Sequence, residues 1–599
     1  MELPPGPKYL LEVFPWFALP SLITYSVLYL LEKTNTNFNV PFWATFFLVV
    51  SARPIIVIFN YYYSIWQNNR AALANNAVLP PSVPKSMLSI VSEFTQSKEN
   101  RYPGGVFLRF TEDYGSIVRF NVLTDASLIT DEPEHVKAIL ATQFDSFHKG
   151  SVFYSQAHSL LGEGVFNSDG EMFHRAMTRP FFTRERITDF DIYDRNWSIS
   201  LKTAKARLNE GFSLDIQDLI SRFTLDSATE FLFGGEVGSL SAGIPYPPGH
   251  EKANSPVFYN HPSTSFVKAF TKGLSIVAER GNFGKEWALV EFNSDQVTPL
   301  RQIIDDFTEP LLSKALHARS NGTNLKTNEE VTLLEHLVKH TQDTKILKDE
   351  LVNLLVAGRD TTMCLLTFAV YMLAEHPDIE KRLREEIYDK VGATEAPTYE
   401  KMREMRYMKA FLNEVLRLYP PVPSNGRTTT KPVLLPAIRP GEKPFYIPKD
   451  TTCIYAVINI HRRKDLWGPD GKFYPLRTLE YDLNTLFTAL EFDPDRFLDD
   501  RVKKYLVANP YIFCPFNAGP RICLGQQFAY NEASFYLIRL LQNFTEFTLD
   551  NSVNIPPPAQ WKFRDSLTAK EKIFPTAHLT LFVKGGLWVK MKSLDNEQV

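Results

Sequence analysis

Two long apolar stretches open the chain, and they constrain it more than anything that follows. The first runs from about Tyr9 to Leu31 and the second from about Phe42 to Tyr63. Each is close to the ~20 residues that a helix needs to cross a bilayer. Neither is perfect: Glu12 sits near the edge of the first, and Arg53 lies inside the second. Trp16, Trp43 and the Tyr61–Tyr63 run suit the bilayer interfaces. A cleaved signal peptide fits poorly, because the apolar run is long and no small-residue cleavage site follows it. The stretches are read as a membrane anchor over 1–66 with two transmembrane helices; the alternative is a pair of interfacial or buried helices. If both cross, the two ends of the anchor lie on the same side, and the basic residues of the short flanks do not fix which side. "LPPSVPK" at 79–85 then marks 67–84 as a stiff, proline-rich hinge.

At 599 residues the chain exceeds the usual size of one domain. With 44% apolar and 22% charged residues it can bury a large core, and a net charge of −3 gives no sign of a nucleic-acid surface. Helical periodicity dominates the body. A long central helix is expected through 347–376, Pro377 starts another, and "YMKAFLNEVLRLYP" forms a third that Pro420 stops. Strand signals are shorter, and "HLTLFVKGGLWVKM" (578–591) reads as a hairpin around Lys-Gly-Gly. The fold class is mainly α with a minor β-sheet.

The cysteines are Cys364, Cys453, Cys514 and Cys523. They show no framework spacing and no Cys-x-x-Cys, so a disulfide scaffold and a structural zinc site have little support. A reducing compartment fits better. Cys523 stands in "PFNAGPRICLG" (515–525), where it is a packed thiol or a metal ligand. Glycines on both sides let backbone N–H groups approach a sulfur. A helix beginning just after Cys523 would point its positive end at the thiol and lower its pKa.

Phe516, Gly519, Arg521, Cys523 and Gly525 fit F-x-x-G-x-R-x-C-x-G. On that motif the chain resembles the cytochrome P450 family over roughly 85–599, a haem-thiolate monooxygenase domain. The resemblance implies haem b with its iron held axially by the Cys523 thiolate, and Arg521 near a haem propionate. "AGRDTT" (357–362) resembles the family's kink in the central helix, where Gly358 lets the helix open and Asp360 with Thr361 delivers protons during dioxygen activation. A carboxylate and a hydroxyl suit that work. Glu414 and Arg417, spaced i, i+3, resemble a buried family pair that Arg496 of "FDPDRF" joins in a structural role. Arg427, after "PPVPSNG", matches a propionate-binding arginine.

Two segments depart from the family pattern. In "DGEMFHRAMTRPFF" (169–182), Arg175 matches a propionate-binding position, but Glu171 stands where the family carries Trp. Loss of that indole donor would weaken one propionate contact. The chain also interposes "GKFYPLRTLEYDLNTLFTA" (471–489) between "WGPD" and the Phe-Asp-Pro-Asp-Arg-Phe run. It reads as translated intron. Gly-Lys-Phe can be encoded with a GTAAGT donor, Phe-Thr-Ala with a CAG acceptor, and excision leaves one Ala codon in frame. The alternative is a tolerated surface insertion.

The resemblance implies a membrane-anchored monooxygenase that inserts one oxygen atom from O2 into an apolar substrate. No flavin or nicotinamide motif is present, so NADPH electrons would come through a separate cytochrome P450 reductase, with cytochrome b5 a further possible donor. Arg501, Lys503 and Lys504 are candidates for docking it, or simply a solvated charge run. "KDELVNLLVAGRDTT" resembles the fungal alkane and fatty-acid hydroxylase branch, including white-rot relatives. This implies alkanes, fatty acids, alkylphenols or aromatic hydrocarbons as substrates, at a pocket including Val356, Ala357, Pro423, Ser424, Leu581 and Phe582. The implied location is the endoplasmic reticulum, with the catalytic domain facing the cytosol. The alternatives are a catalytically impaired haem-binding protein and a peroxide-using or rearranging haem-thiolate enzyme. Sequencing of mature transcripts tests the intron: messages lacking codons 471–488 are expected, and their retention in every message would refute it.

Overall fold

The computed structural model describes residues 3–34, 39–95, 102–169, 178–182, 187, 190–250, 254–320, 332–341, 343–468, 489–563 and 567–594. Helix α1 (Pro5–Thr34) and helix α2 (Phe42–Ala74) lie side by side, with the Ser21 hydroxyl donating to Val49 O at 2.8 Å and Arg53 over the Phe17 ring. Both are long and apolar enough to cross a membrane, and almost nothing covers them. At ~1.5 Å per residue each exceeds the ~30 Å hydrocarbon core. Thr344–Glu375 is also apolar enough, but it is buried within the body and is a core element.

The segment read as a hinge is structured. Helix α2 continues to Ala74, and the chain then bonds to the body: Val78 N–H donates to Pro444 O and Arg119 N–H to Pro81 O. The prolines remove donors but leave carbonyls that the sheet edge can use.

The main sheet begins with β1 (Ile117–Val122), β2 (Asp125–Thr130) and β3 (Phe147–His148). A short β4 (Leu214–Asp215) belongs elsewhere. Then follow β5 (Asn425–Thr429), a small pair β6 (Val433–Leu435) and β7 (Phe445–Ile447), and β8 (Thr452–Tyr455). The main sheet runs β1-β2-β8-β5-β3, with β2 and β8 parallel and the other pairs antiparallel. The last strands are β9 (Phe544–Leu549), β10 (Pro575–Ala577), β11 (Leu581–Val583) and β12 (Trp588–Ser593).

Here the expected hairpin over 578–591 is wrong. β11 pairs with β10 around a turn at 578–580, whereas β12 pairs with β4 and β9. Gly585 and Gly586 explain the parting. Both have left-handed φ, +80° and +88°, and a Cβ on Gly586 would meet the Asp215 carboxylate at 2.2 Å. The two glycines turn the chain out of one sheet and into the next.

The helical layer is built on α3 (Ile216–Phe233), α4 (Thr344–Leu355), α5 (Thr361–Glu375), α6 (Arg406–Leu418) and α7 (Gln526–Asn543). Helices α4 and α5 are one central helix interrupted by a π-helical turn, Val356–Asp360. The largest core cluster joins α5, α6 and α7 through Phe368, Phe411, Phe535 and Leu537.

Behind this core Glu571 accepts from Tyr102 Oη at 2.9 Å and from the hydroxyls of Tyr371 and Tyr419 at 3.2–3.3 Å. Burial pushes its carboxyl from 4.5 up to about 7, opposed by Arg462 and the tyrosine hydroxyls. The folded protein therefore keeps a proton that the unfolded chain releases, so this contribution is greatest below the unfolded value and is lost as pH rises through about 7. Replacing Glu571 with Gln should flatten the loss of stability between about pH 5 and pH 8 by roughly 1–3 kcal/mol. Denaturation of the detergent-solubilised protein measures this; parallel pH profiles for parent and variant would refute it.

Candidate active site

Four cysteines meet different fates. Cys364, Cys453 and Cys514 are buried free thiols, and burial raises the pKa of each. Cys523 is also free of any disulfide, but it is exposed. Its loop is folded on itself: Cys523 N–H donates to Phe516 O at 2.9 Å and Ile522 N–H to Gly519 O at 3.1 Å. Gly519 has φ +59°, and a Cβ there would meet Leu140 O at 2.5 Å. Gly525 lies so close that a Cβ would stand 4.0 Å from Cys523 Sγ. Helix α7 begins at the next residue, so its free N–H groups and positive end face the loop. Phe516 packs on Tyr530 of that helix with ring centroids 5.3 Å apart.

The loop is tied to the sheet. Asn517 Oδ1 accepts from Tyr455 Oη at 3.0 Å, joining the loop to β8. Arg521 is buried, with Nη2 donating to Phe147 O at 2.5 Å and its guanidinium 4.1 Å from the Phe144 ring centroid. Phe147 pairs with Thr429 on β5, the strand that carries Arg427. The Arg427 guanidinium donates to Gly426 O at 2.7 Å, while its Nε is buried without a hydrogen-bond partner. An orphaned buried donor marks a missing acceptor. An accessible thiol, a glycine-bearing loop and this guanidinium fit a haem with its iron on sulfur and a propionate near Arg427. Glu171 and Arg175 lie outside the described residues.

Thr361 opens α5, and its hydroxyl donates to Ala357 O at 2.7 Å, across the π-helical turn. Gly358 lies inside the π-helical turn, where the resemblance expects the helix to open, and a Cβ there would stand at ordinary contact distance, 3.4 Å, from the Ala228 Cβ on α3. The Asp360 carboxylate accepts from Arg359 Nη1 at 2.5 Å, and Arg359 Nη2 donates to Ser221 Oγ on α3. Asp360 and Thr361 thus adjoin in sequence while their side chains bond different partners.

Glu414, Arg417 and Arg496 come together as a buried cluster. Arg417 grips Glu414 with two bonds of 2.7 Å, and Arg496 Nε stands 3.5 Å from Glu414 Oε1. Arg417 also donates to His461 O and Ala489 O, and Arg496 to Trp467 O. Burial alone would raise the Glu414 pKa, but the two guanidiniums and the Asp493 N–H bring it below the usual value. Trp467, ahead of the 471–489 insert, and Ala489, its last residue, are bonded to the cluster, while 469–488 lie outside the described residues.

Three residues escaped the motif reading. Arg359 stands inside "AGRDTT", but the motif leaves that position open. His578 occupies the β10–β11 turn, which a misplaced hairpin concealed. Glu532 is fully buried on α7, where desolvation holds its carboxyl well above the usual range and Thr362 is the polar neighbour that opposes this. A glutamate among apolar helix residues gives no sign of burial by spacing alone.

A sequence model of the family described as Cytochrome P450 matches residues 81–575. The chain is 36% identical over 479 residues to "Cytochrome P450 52A6" of Candida tropicalis, covering 78% of this chain and 81% of that protein. It is 37% identical over 449 residues to "Cytochrome P450 52A9" of Candida maltosa, covering 73% and 79%. It is 32% identical over 485 residues to "Cytochrome P450 monooxygenase himC" of Aspergillus japonicus, covering 80% and 76%. All three are fungal proteins, as the resemblance to a fungal branch led us to expect.

The Glu414 cluster yields a prediction. Changing Glu414 to Gln leaves two buried guanidiniums without their anion and should cost ~3–5 kcal/mol. Thermal denaturation of the haem-loaded protein measures this, and an unchanged midpoint would show that the cluster does not brace the site.

Proposed function

The chain belongs to the cytochrome P450 family, and on that premise we propose that it hydroxylates long apolar molecules, with electrons from NADPH delivered by a separate cytochrome P450 reductase. It is a haem-thiolate monooxygenase anchored to a membrane. Bound haem supplies the activation of dioxygen, of which one atom enters the substrate and the other leaves as water. The observation that carries the site assignment is Cys523, the exposed thiol among the four cysteines.

The chain's own residues divide the remaining work. Cys523, on its glycine-flanked loop, would hold the haem iron through its thiolate and would donate electron density to it. Arg427 and Arg521 neutralise the propionates. The Thr361 hydroxyl, spanning the π-helical turn, orients water there. Asp360 moves protons once its carboxylate is released from Arg359. Glu414, Arg417 and Arg496 hold the ligand side in register. For the substrate we propose an alkane, fatty acid, alkylphenol or aromatic hydrocarbon, bound beside Val356, Ala357, Pro423, Ser424, Leu581 and Phe582. The buried apolar flank of the π-helical turn supports that class.

For docking the reductase, Lys503 and Lys504 are exposed, whereas Arg501 is engaged by Asp493 and Asp499. The proposed site of action is the endoplasmic reticulum, with the body facing the cytosol and cytochrome b5 as an optional second electron donor.

Reconstitution with reductase and NADPH should give hydroxylated products from such chains, and preferred turnover of hydrophilic molecules would refute the substrate class. In the same assay Cys523→Ala should lose the thiolate Soret signature of the reduced, carbon-monoxide-treated protein. Thr361→Ala should keep that signature while consuming several-fold more oxygen per product formed.

A further inference from the structure

Among the described residues, the β10–β11 turn holds one imidazole whose surroundings leave it with a single free function. The turn is closed by the Ala577–Leu581 pair, and His578 N–H donates to Thr580 O at 3.2 Å. Thr580 N–H donates to His578 Nδ1 at 3.1 Å, and the Thr580 hydroxyl lies 3.3 Å from the same nitrogen. A nitrogen that accepts from a backbone N–H carries no proton of its own, so in the neutral ring the hydrogen sits on Nε2. Nε2 has no partner among the described residues, and it is not sealed from open space. The ring is locked against Phe582, with centroids 4.9 Å apart and planes 25° from parallel.

The turn faces the reaction site. Leu581 N–H donates to Pro421 O at 2.9 Å, which sets the turn against the loop leading to Pro423 and Ser424. Leu579 packs on the core cluster that contains Val356 of the π-helical turn. Asp360 and Arg359 of that turn are the charged groups near enough to act on His578. They are paired with each other, so they bring little net charge. Burial holds the imidazole neutral, its pKa down to about 4. The result is an uncharged N–H donor, oriented by its own turn and stacked on the apolar Phe582.

We infer that His578 Nε2 donates a hydrogen bond to an oxygen atom of the substrate, and so selects apolar molecules that carry one acceptor oxygen over plain hydrocarbons. This rests on the apolar-substrate reading above and narrows it. A buried donor left unpaired disfavours any ligand lacking an acceptor. An alkane seated there would leave Nε2–H without a partner, whereas a hydroxyl, carbonyl or carboxyl would satisfy it. Because the ring is neutral, the interaction requires no charge on the ligand.

The test uses the full-length haem-loaded protein in detergent or nanodiscs. Dodecane, dodecanol, dodecanoic acid and methyl dodecanoate are titrated against the haem spin-state change. The parent should bind at least one oxygen-bearing ligand about tenfold more tightly than dodecane. His578→Phe keeps the stacking on Phe582 but removes the donor, and should abolish that preference by weakening the oxygen-bearing ligands, with dodecane bound no more weakly than by the parent. His578→Gln retains a donor and should restore part of it. Comparison of alcohol, acid and ester identifies which oxygen is recognised. Equal losses for dodecane and the oxygenated ligands in His578→Phe would show that the ring only shapes the wall, and would overturn the inference. So would a parent that binds dodecane as well as its oxygenated analogues; that result leaves the apolar-substrate reading standing. A parent that responds to none of the four defeats the apolar-substrate reading, and this inference with it.

Discussion

A single buried carboxylate holds the irregular half of this protein in place. Glu414 and Arg417 are wholly inside, and Arg496 is nearly so. Burying three charges is expensive, and attraction between them offsets the cost only when every remaining donor is used. Here the spare donors go to backbone carbonyls at His461, Trp467, Ala489 and Glu491. Those carbonyls lie in chain with little regular secondary structure of its own. Among the described residues, the cluster ties the backbone at 461–467 to that at 489–491 through side-chain donors. It also reaches the ligand loop, because His461 Nε2 accepts from Cys514 N–H at 3.0 Å. An apolar plug of the same volume would fill the space but leave these carbonyls unsatisfied.

The opposite side of the site is organised by departures from helix regularity. A continuous α-helix through 344–375 would use every carbonyl internally. The π-helical turn at 356–360 breaks that pattern, and the Thr361 hydroxyl takes up the Ala357 carbonyl. The charges introduced with the turn cancel locally, since Arg359 binds Asp360 and is steadied by Ser221. The site thereby contains a carboxylate and a hydroxyl without a net buried charge. Helix α7, which begins beside Cys523, packs into the same core as α5. The helix that follows the Cys523 loop and the helix that carries Thr361 thus share one packed cluster.

The parts of this design that the sequence discloses are those where chemistry demands a residue type at a fixed spacing. The buried Glu414–Arg417 pair and the tight glycine loop around Cys523 were legible in that way. What stayed hidden depends on contacts between distant segments. Gly585 and Gly586 looked like a hairpin turn, yet their left-handed φ carries the chain into a different sheet. "LPPSVPK" read as a stiff hinge, and composition gave no sign that the Pro81 carbonyl bonds to β1. His578 was missed for the same reason, since its position follows from pairing β11 with β10 rather than with β12.

The anchor adds a constraint that apolar composition alone leaves open. Helices α1 and α2 run antiparallel, so the start of α1 and the end of α2 both return to the body. Gly6 N–H donates to Phe292 O at 3.1 Å, and a Cβ on Gly6 would meet the Phe292 ring at 2.2 Å. At the other end, Ala72 and Ala77 pack with Tyr446 of β7. A body held by one linker can rotate freely over the bilayer, whereas one held at two points cannot. The segment at the first joint also exposes Leu289, Val290 and Phe292. Apolar side chains clustered where a membrane helix docks face lipid at little cost, because their burial there recovers the hydrophobic free energy that water would withhold. The first joint thus places this apolar surface beside the membrane anchor.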